Sequence, residues 1–369
     1  MAESRPDGVD VVATRAEAQG MTMPPLLVLD ALGEWLDGQG IGPSGGPLSW
    51  ERIGDGQSNI TYLVQRGDGA DAARVVVRRG PRPPLPPSAH DMVRESRIQR
   101  VLGEREVRVP RILGVCEDES VLGVPFYVME HLDGVVVTDT EPPALGSAQA
   151  RGRTSAAVVD TLVALHAVDV ADPAVAALGR PAGYLERQVR RFAGLWPQVS
   201  VRELDDFEVV TQWLADRLPG QAGNAVVHGD YRLGNLMLDR GAPDRVLAVL
   251  DWEMATLGDP LADLGYVTAT WSDPSWEPTV MDHATVTRDE GWWHRTDLAQ
   301  AYAARTGADL DALPWYQALA MWKSAVFCEA MYTRWLRGER PGDTTFAPRL
   351  ERGVPGLLAR ARAHASELA

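Results

Sequence analysis

The period of the apolar pattern changes once along this chain, and that change sets the fold class. From Trp50 to about Leu132, the runs ITYLVQ, RVVVRR and PFYVME are short, β-branched and aromatic, with Gly and Asp turns between them. That is how half-buried strands read. One helical stretch interrupts them, SAHDMVRESRIQRVLG at 88–103, with Ser88 or Asp91 as N-cap and Gly103 at the stop. After residue 150 the period becomes helical, in SAAVVDTLVALHAV, YLERQVRRFAGLW and WYQALAMWKSAVFCEAMYTRWL, with one strand pair, NLML and VLAVLD, between them. Strands with one helix, then helices with one hairpin, make an α+β arrangement. At 369 residues the chain exceeds what one core serves comfortably, so two lobes are expected. The expected division is a loose or disordered tail at 1–25, a β-rich N-terminal lobe at 26–131 opening on an amphipathic helix over 26–37, and a larger helical C-terminal lobe at 132–369.

Charge and cysteine content narrow the partners. The chain carries 36 basic and 51 acidic residues, a net −15, which argues against nucleic acid and anionic membrane surfaces as partners. No apolar run reaches the length of a membrane span. The first residues are polar and acidic and lack the order of a signal peptide. Cys116 and Cys328 cannot build a disulfide framework, so the reducing cytoplasm is the expected location. Only one basic residue, Lys323, is lysine; the others are arginine. Any mechanism that needs a lysine must use Lys323 or do without.

The segment richest in chemistry is His228-Gly229-Asp230-Tyr231-Arg232-Leu233-Gly234-Asn235, followed after one hairpin by Asp251 at the end of VLAVLD. Phosphoryl transfer to a hydroxyl needs a carboxylate to orient the hydroxyl and accept its proton. It also needs hard oxygen ligands for a magnesium ion on the nucleotide phosphates. An Asp, an Asn five residues on and a strand-end Asp supply that set. The same residue types also favour plain turns before a hairpin.

The string HGDYRLGNLMLD…VLAVLDWEMATLGDPLADLGY resembles the aminoglycoside-phosphotransferase-like, kinase-like enzymes, and most of all the branch joined to acyl-CoA dehydrogenases. GQSNITYLV, VVVRRGP, FYVMEHLDG, TLVALHAVD and RQVRRF occur in the order of that branch, so the resemblance spans roughly residues 26–345. It implies a bilobal kinase-like fold, ATP as the nucleotide with GTP an open alternative, Mg²⁺, and a small-molecule hydroxyl as acceptor. By position it implies Asp230 as catalytic base and Asn235 and Asp251 as magnesium ligands. Arg232, two residues after the base, is either a stabiliser of transition-state charge or a surface arginine of the loop. Asp263 resembles the helix carboxylate that braces the catalytic loop. His166 and His228 read as packing and bracing residues, and Asp259 as a helix N-cap before Pro260.

In the first lobe the resemblance implies a phosphate-covering hairpin at Gln57, Ser58 and Asn59, although a Gly-Asp-Gly turn alone is commonplace. Met129, Glu130 and Leu132 match the hinge that meets the nucleotide base. The departure from the pattern is RVVVRR, where kinases carry a lysine paired with a helix glutamate. Alternation puts Val76 and Arg78 on one face and Val77 and Arg79 on the other. Arg78 is then the phosphate cation with Glu95 as its partner, or else a solvated strand-end charge. Arg79 is expected to point away and to be dispensable.

For the acceptor, the branch suggests a hydroxyacyl-CoA. An aminoglycoside-type antibiotic and a nucleotide-binding regulatory module without turnover are the alternatives. Arg187, Gln188, Arg190 and Arg191 on one predicted helix could meet an anionic substrate, or form an ordinary basic face. Eight of the twelve tryptophans lie after residue 250, as helical core and pocket wall.

Overall fold

The computed structural model describes residues 10–19, 21–54, 59–69, 72–83, 90–339 and 342–368. The chain divides into two compact units, the first ending at Leu132 and the second beginning at Asp133.

The first unit is built on a five-stranded antiparallel sheet. In chain order its strands are Leu48–Ile53, Ile60–Arg66, Ala73–Arg79, Ile112–Cys116 and Phe126–Glu130, and the last two exchange places in space. Ala73–Arg79 lies at the centre and is covered on both faces. Val75 and Val77 pack into a core with Leu32 and Leu36 of helix Leu29–Gly38. Val76 packs on the opposite face with Met92, Tyr127 and Met129. Burial on both faces is why the sequence shows an unbroken Val75-Val76-Val77 run instead of alternation. Helix Met92–Gly103 is capped by Asp91, whose carboxylate accepts from the Arg94 N–H at 2.9 Å.

Two expectations for this unit change. Part of the stretch read as a loose tail carries regular structure: Val11–Val12 pairs in parallel with Leu27–Val28, and helix Arg15–Gln19 lies between them in the chain. Such two-residue pairings are too short to leave a periodic signature. Arg79 does point away from Arg78, yet it is only 1% exposed. Its guanidinium donates to the carbonyls of Gly80 at 2.9 Å, Leu122 at 3.2 Å and Leu26. Burial pulls its pKa down to about 10. Arg79 is therefore an interior cross-link. Arg79→Ala is expected to destabilise the unit by about 3 kcal/mol, because buried carbonyls lose their donors and a cavity opens. Urea denaturation measures this; a loss below about 0.5 kcal/mol, the usual range for surface positions, would contradict the assignment.

The second unit is mostly helical. Its longest helix, Leu313–Leu336, packs against Tyr184–Val199, Leu261–Thr270 and Leu350–Ser366. Trp315 and Trp322 on that helix are fully buried, as is Trp252, so the late tryptophans do serve as core. Two small antiparallel ladders frame the candidate site. One is the hairpin Leu236–Asp239 with Val246–Val249, extended by Gly134–Val135. The other pairs Ala225–Val227 with Thr256–Gly258. Among the described residues no helix is long and apolar enough to cross a membrane.

Candidate active site

Strand Ala225–Val227 delivers the chain into the loop at His228, and a buried carboxylate shapes that loop. Asp263, on helix Leu261–Thr270, accepts from the His228 N–H at 2.7 Å and the Gly229 N–H at 2.8 Å. His166 Nε2 lies 3.2 Å from the same carboxylate, and His166 Nδ1 lies 2.7 Å from the Tyr302 hydroxyl. Burial alone would raise the Asp263 pKa. The bond and charge of His166 and the Gly229 N–H outweigh it, so the group is held below the ordinary carboxylate value. Gly229 has φ +84°, and a Cβ there would meet Met254 at 2.9 Å, so only glycine fits the turn.

His228 completes the frame. Its Nδ1 accepts from the Asp230 N–H at 3.2 Å, and its Nε2 lies 2.9 Å from the Leu250 carbonyl. Both bonds suit a neutral ring protonated on Nε2. The Tyr231 hydroxyl donates to the Val158 carbonyl at 2.7 Å, tying the loop to helix Ala148–His166. Asp259 holds the start of the next helix by accepting from the N–H groups of Leu261 at 3.0 Å and Ala222 at 2.8 Å, and from the Tyr316 hydroxyl at 2.9 Å.

Three side chains converge on the Asp230 carboxylate. Asn235 Nδ2 donates at 2.8 Å both to the carboxylate and to the Asp230 main-chain carbonyl. Arg232 Nε lies 3.5 Å from the carboxylate as an ion pair. The Tyr266 hydroxyl bonds to the same group. Sequence reasoning misses Tyr266, since nothing in PLADLGY marks its hydroxyl as site-facing. Its position three residues after Asp263 puts both on one side of the helix, and that spacing is the available signal. Burial works against the charge on Arg232, but Asp230 and Asp251 more than restore it.

The donor set for a metal can be read from these bonds. With Nδ2 engaged twice, the Oδ1 of Asn235 is the acceptor end of that side chain. The Leu250 N–H donates to the Asn235 carbonyl at 2.8 Å, which ties the end of the hairpin to the loop immediately before Asp251. Asp251 adopts the left-handed conformation, φ 66°. An amide oxygen and a carboxylate are hard donors of the kind magnesium takes while keeping several waters. No cluster of three or more His, Cys, Asp or Glu side chains with metal-binding geometry occurs among the described residues, and such an ion needs none. The residues present fit it.

In the first unit, Arg78 Nε lies 3.1 Å from Glu95 Oε1, and Glu95 is 1% exposed. The Tyr127 hydroxyl donates to Glu95 at 3.1 Å and receives a bond from Gln99 at 2.9 Å. Asn59 is buried with its Oδ1 2.8 Å from His90 Nδ1. Met129 packs beside Val76, Glu130 accepts from the Arg111 N–H at 2.8 Å, and Leu132 closes the unit. Gln57 and Ser58 lie outside the described residues.

The helical arginines suggested for the acceptor are engaged elsewhere. Arg187 donates to the carbonyls of Ala182 and Arg180, and Arg190 pairs with Glu186 at 2.6 Å on an exposed face. A small pocket instead opens beside Arg232 and Leu233, walled by Val267, Trp271, Met281 and His283. Burial, with Arg232 adding to it, pulls the His283 pKa down to about 4 and keeps that ring neutral.

Comparison with known proteins accords with this geometry. Acyl-CoA dehydrogenase family member 10 of Mus musculus is 32% identical over 337 residues, 90% of this chain and 30% of that protein. Acyl-CoA dehydrogenase family member 11 of Gallus gallus is 32% identical over 306 residues, 81% of this chain and 38% of that protein. The chain thus spans about a third of the length of these relatives. A crystal structure from Ralstonia eutropha JMP134, provisionally described as an aminoglycoside phosphotransferase, aligns with a TM-score of 0.73 at 27% identity, over 92% of this chain and 98% of that one. A choline kinase from Cryptosporidium parvum Iowa II shares the fold, with a TM-score of 0.62 at 11% identity over 92% and 96%. The model of the phosphotransferase enzyme family (APH) matches residues 49–316, most of the chain, and the chain belongs to that kinase-like family.

Proposed function

We propose that the chain is an ATP- and Mg²⁺-dependent phosphotransferase that moves the γ-phosphoryl group to a hydroxyl of a small molecule, with a hydroxyacyl-CoA as the first candidate acceptor. The observation that carries this reading is the Asp263-braced loop, which holds Asp230 and Asn235 in direct hydrogen bond, with the Leu250 N–H tying the residue before Asp251 to the Asn235 carbonyl. A regulatory module without turnover has no need for so fully supported a carboxylate.

In this reading Asp230 orients the acceptor hydroxyl and takes its proton as the oxygen attacks the γ-phosphorus and the bond to the β-phosphate oxygen breaks, releasing the nucleoside diphosphate. Arg232 stabilises charge that develops on the transferred group. Asn235 Oδ1 and the Asp251 carboxylate would hold the magnesium ion, which would supply neutralisation of phosphate charge. The nucleotide belongs to the first unit, through Gln57, Ser58, Asn59, Met129, Glu130 and Leu132. Arg78 stands there for the missing lysine, and Glu95 holds it in place. Arginine stays charged and forks onto phosphate oxygens, so the substitution is chemically sound. The acyl-CoA dehydrogenase names of the sequence relatives support an acyl-CoA acceptor, while the description of the Ralstonia structure keeps the antibiotic class as the alternative. Two buried, unpaired cysteines fit a reducing cytoplasm.

The test is nucleotide consumption by the purified chain with Mg²⁺ and ATP or GTP, across hydroxyacyl-CoA thioesters, free hydroxy acids and kanamycin. Consumption should rise most with the thioesters. A response to kanamycin alone would favour the antibiotic class. Tight Mg-nucleotide binding with no turnover of any alcohol would favour the regulatory module.

A further inference from the structure

In a chain whose other basic side chains are all arginine, the one lysine sits at mid-length in helix Leu313–Leu336. That helix packs directly on Leu261–Thr270, which carries Asp263 and Tyr266. The half-buried Lys323 ammonium lies 4.9 Å from the centroid of the Phe192 ring, on the facing helix Tyr184–Val199. Phe192 is itself buried against Trp322 and Phe327. An aromatic face attracts a cation but does not neutralise it.

Three charged groups act on Lys323. Asp263 and Asp230 attract it, while Arg191 repels it. Neither carboxylate is free to pair with it. Asp263 is occupied by His228, Gly229 and His166, and Asp230 by Asn235, Arg232 and Tyr266. Among the described residues Lys323 has no hydrogen bond or ion pair, only the ring beneath it. A half-desolvated ammonium without an oxygen partner is poorly solvated by its own protein and gains when one arrives. Burial, reinforced by Arg191, pulls its pKa down to about 8.

We propose that Lys323 binds a carbonyl-type oxygen of the acceptor, a carboxylate or a thioester, close to the hydroxyl that Asp230 orients. This rests on the phosphotransferase reading above and sharpens it. A compact ammonium suits a single oxygen, where a guanidinium fork would suit two. The same cation disfavours a polycationic acceptor, because like charges meet in a partly desolvated setting.

Having one lysine makes the experiment specific. Acetylation at pH 8 by an N-hydroxysuccinimide ester, followed by mass spectrometry of the Lys323 peptide, reads this side chain alone. The labelling rate is compared without additive and with 3-hydroxybutyrate, 3-hydroxybutyryl-CoA, butane-1,3-diol and kanamycin. Protection of about five-fold or more by a carbonyl-bearing compound, and none by the diol or kanamycin, is expected. Protection by the free acid identifies a carboxylate, and protection by the thioester alone identifies a thioester carbonyl. Lys323→Met should raise the KM for the protecting acceptor about ten-fold or more, with the nucleotide KM unchanged, and Lys323→Arg should recover part of the loss. Equal labelling rates across the panel, or a parental acceptor KM in folded Lys323→Met, would overturn the proposal. Protection without any turnover would leave Lys323 assigned and remove the phosphotransferase reading instead.

Discussion

Asp230→Asn is expected to lower turnover by about two orders of magnitude or more, with melting temperature and nucleotide affinity close to parental. Loss of a general base and its positioning typically costs about 10²–10⁴ in rate. Asparagine keeps the shape of the side chain and one oxygen for Asn235 Nδ2, so the loop should persist. What it removes is the carboxylate proposed to take the proton, which also pairs with Arg232 at 3.5 Å. Steady-state kinetics beside calorimetry provide the check. Turnover within a few-fold of parental would remove Asp230 from the role of base.

Asp263→Ala is expected to be the most damaging substitution for stability, at about 3–5 kcal/mol. It leaves two buried loop N–H groups and His166 without their acceptor. The charge on this carboxylate should also show in acid. Its pKa in the folded chain lies below the ordinary value of 3.8. Its contribution is therefore fully present above that value and is lost as pH falls through the folded-state pKa. Asp263→Asn retains one acceptor oxygen but cannot titrate. In urea denaturation the gap between parent and Asp263→Asn should shrink as the pH is lowered from 7 toward 3. A gap that is constant over that range would mean that shape, not charge, is what Asp263 contributes.

The parts of the site legible in the sequence are those that spacing encodes. Asp230, Asn235 and Asp251 lie within one loop and hairpin, so their residue types and separations already point to the chemistry proposed for them. The Arg78–Glu95 contact needs only strand alternation and the order of a strand followed by a helix. The interior polar cross-links are harder to read. Arg79 and Arg66 are each 1% exposed, and an arginine carries no local sign that carbonyls from distant segments will surround it. Tyr127 and Gln99 join the Glu95 network across a sheet–helix interface, which is equally silent in the sequence. Tyr266 escapes notice because an aromatic residue on a buried helix reads as packing until its hydroxyl is located. The helical arginines go the other way. Arg187 and Arg190 look available on a basic stretch, whereas local carbonyls and Glu186 engage them.

The left-handed backbone at Asp251 has a consequence for what evolution and mutagenesis can place there. A side chain other than glycine in that region costs about 1–2 kcal/mol, with Asn and Asp the best tolerated. Two demands therefore act on a single codon: the main chain favours Gly, Asn or Asp, and a cation would favour a charged oxygen. Aspartate satisfies both. In a saturation library the survivors at residue 251 should separate by assay, with Gly and Asn persisting under selection for folding and Asp alone under selection for metal-dependent activity. Alanine would fail both screens, and its failure would confound lost ligation with lost backbone fit. Asp251→Asn is the cleaner probe, because the backbone conformation at φ 66° survives the change and only the charge is removed.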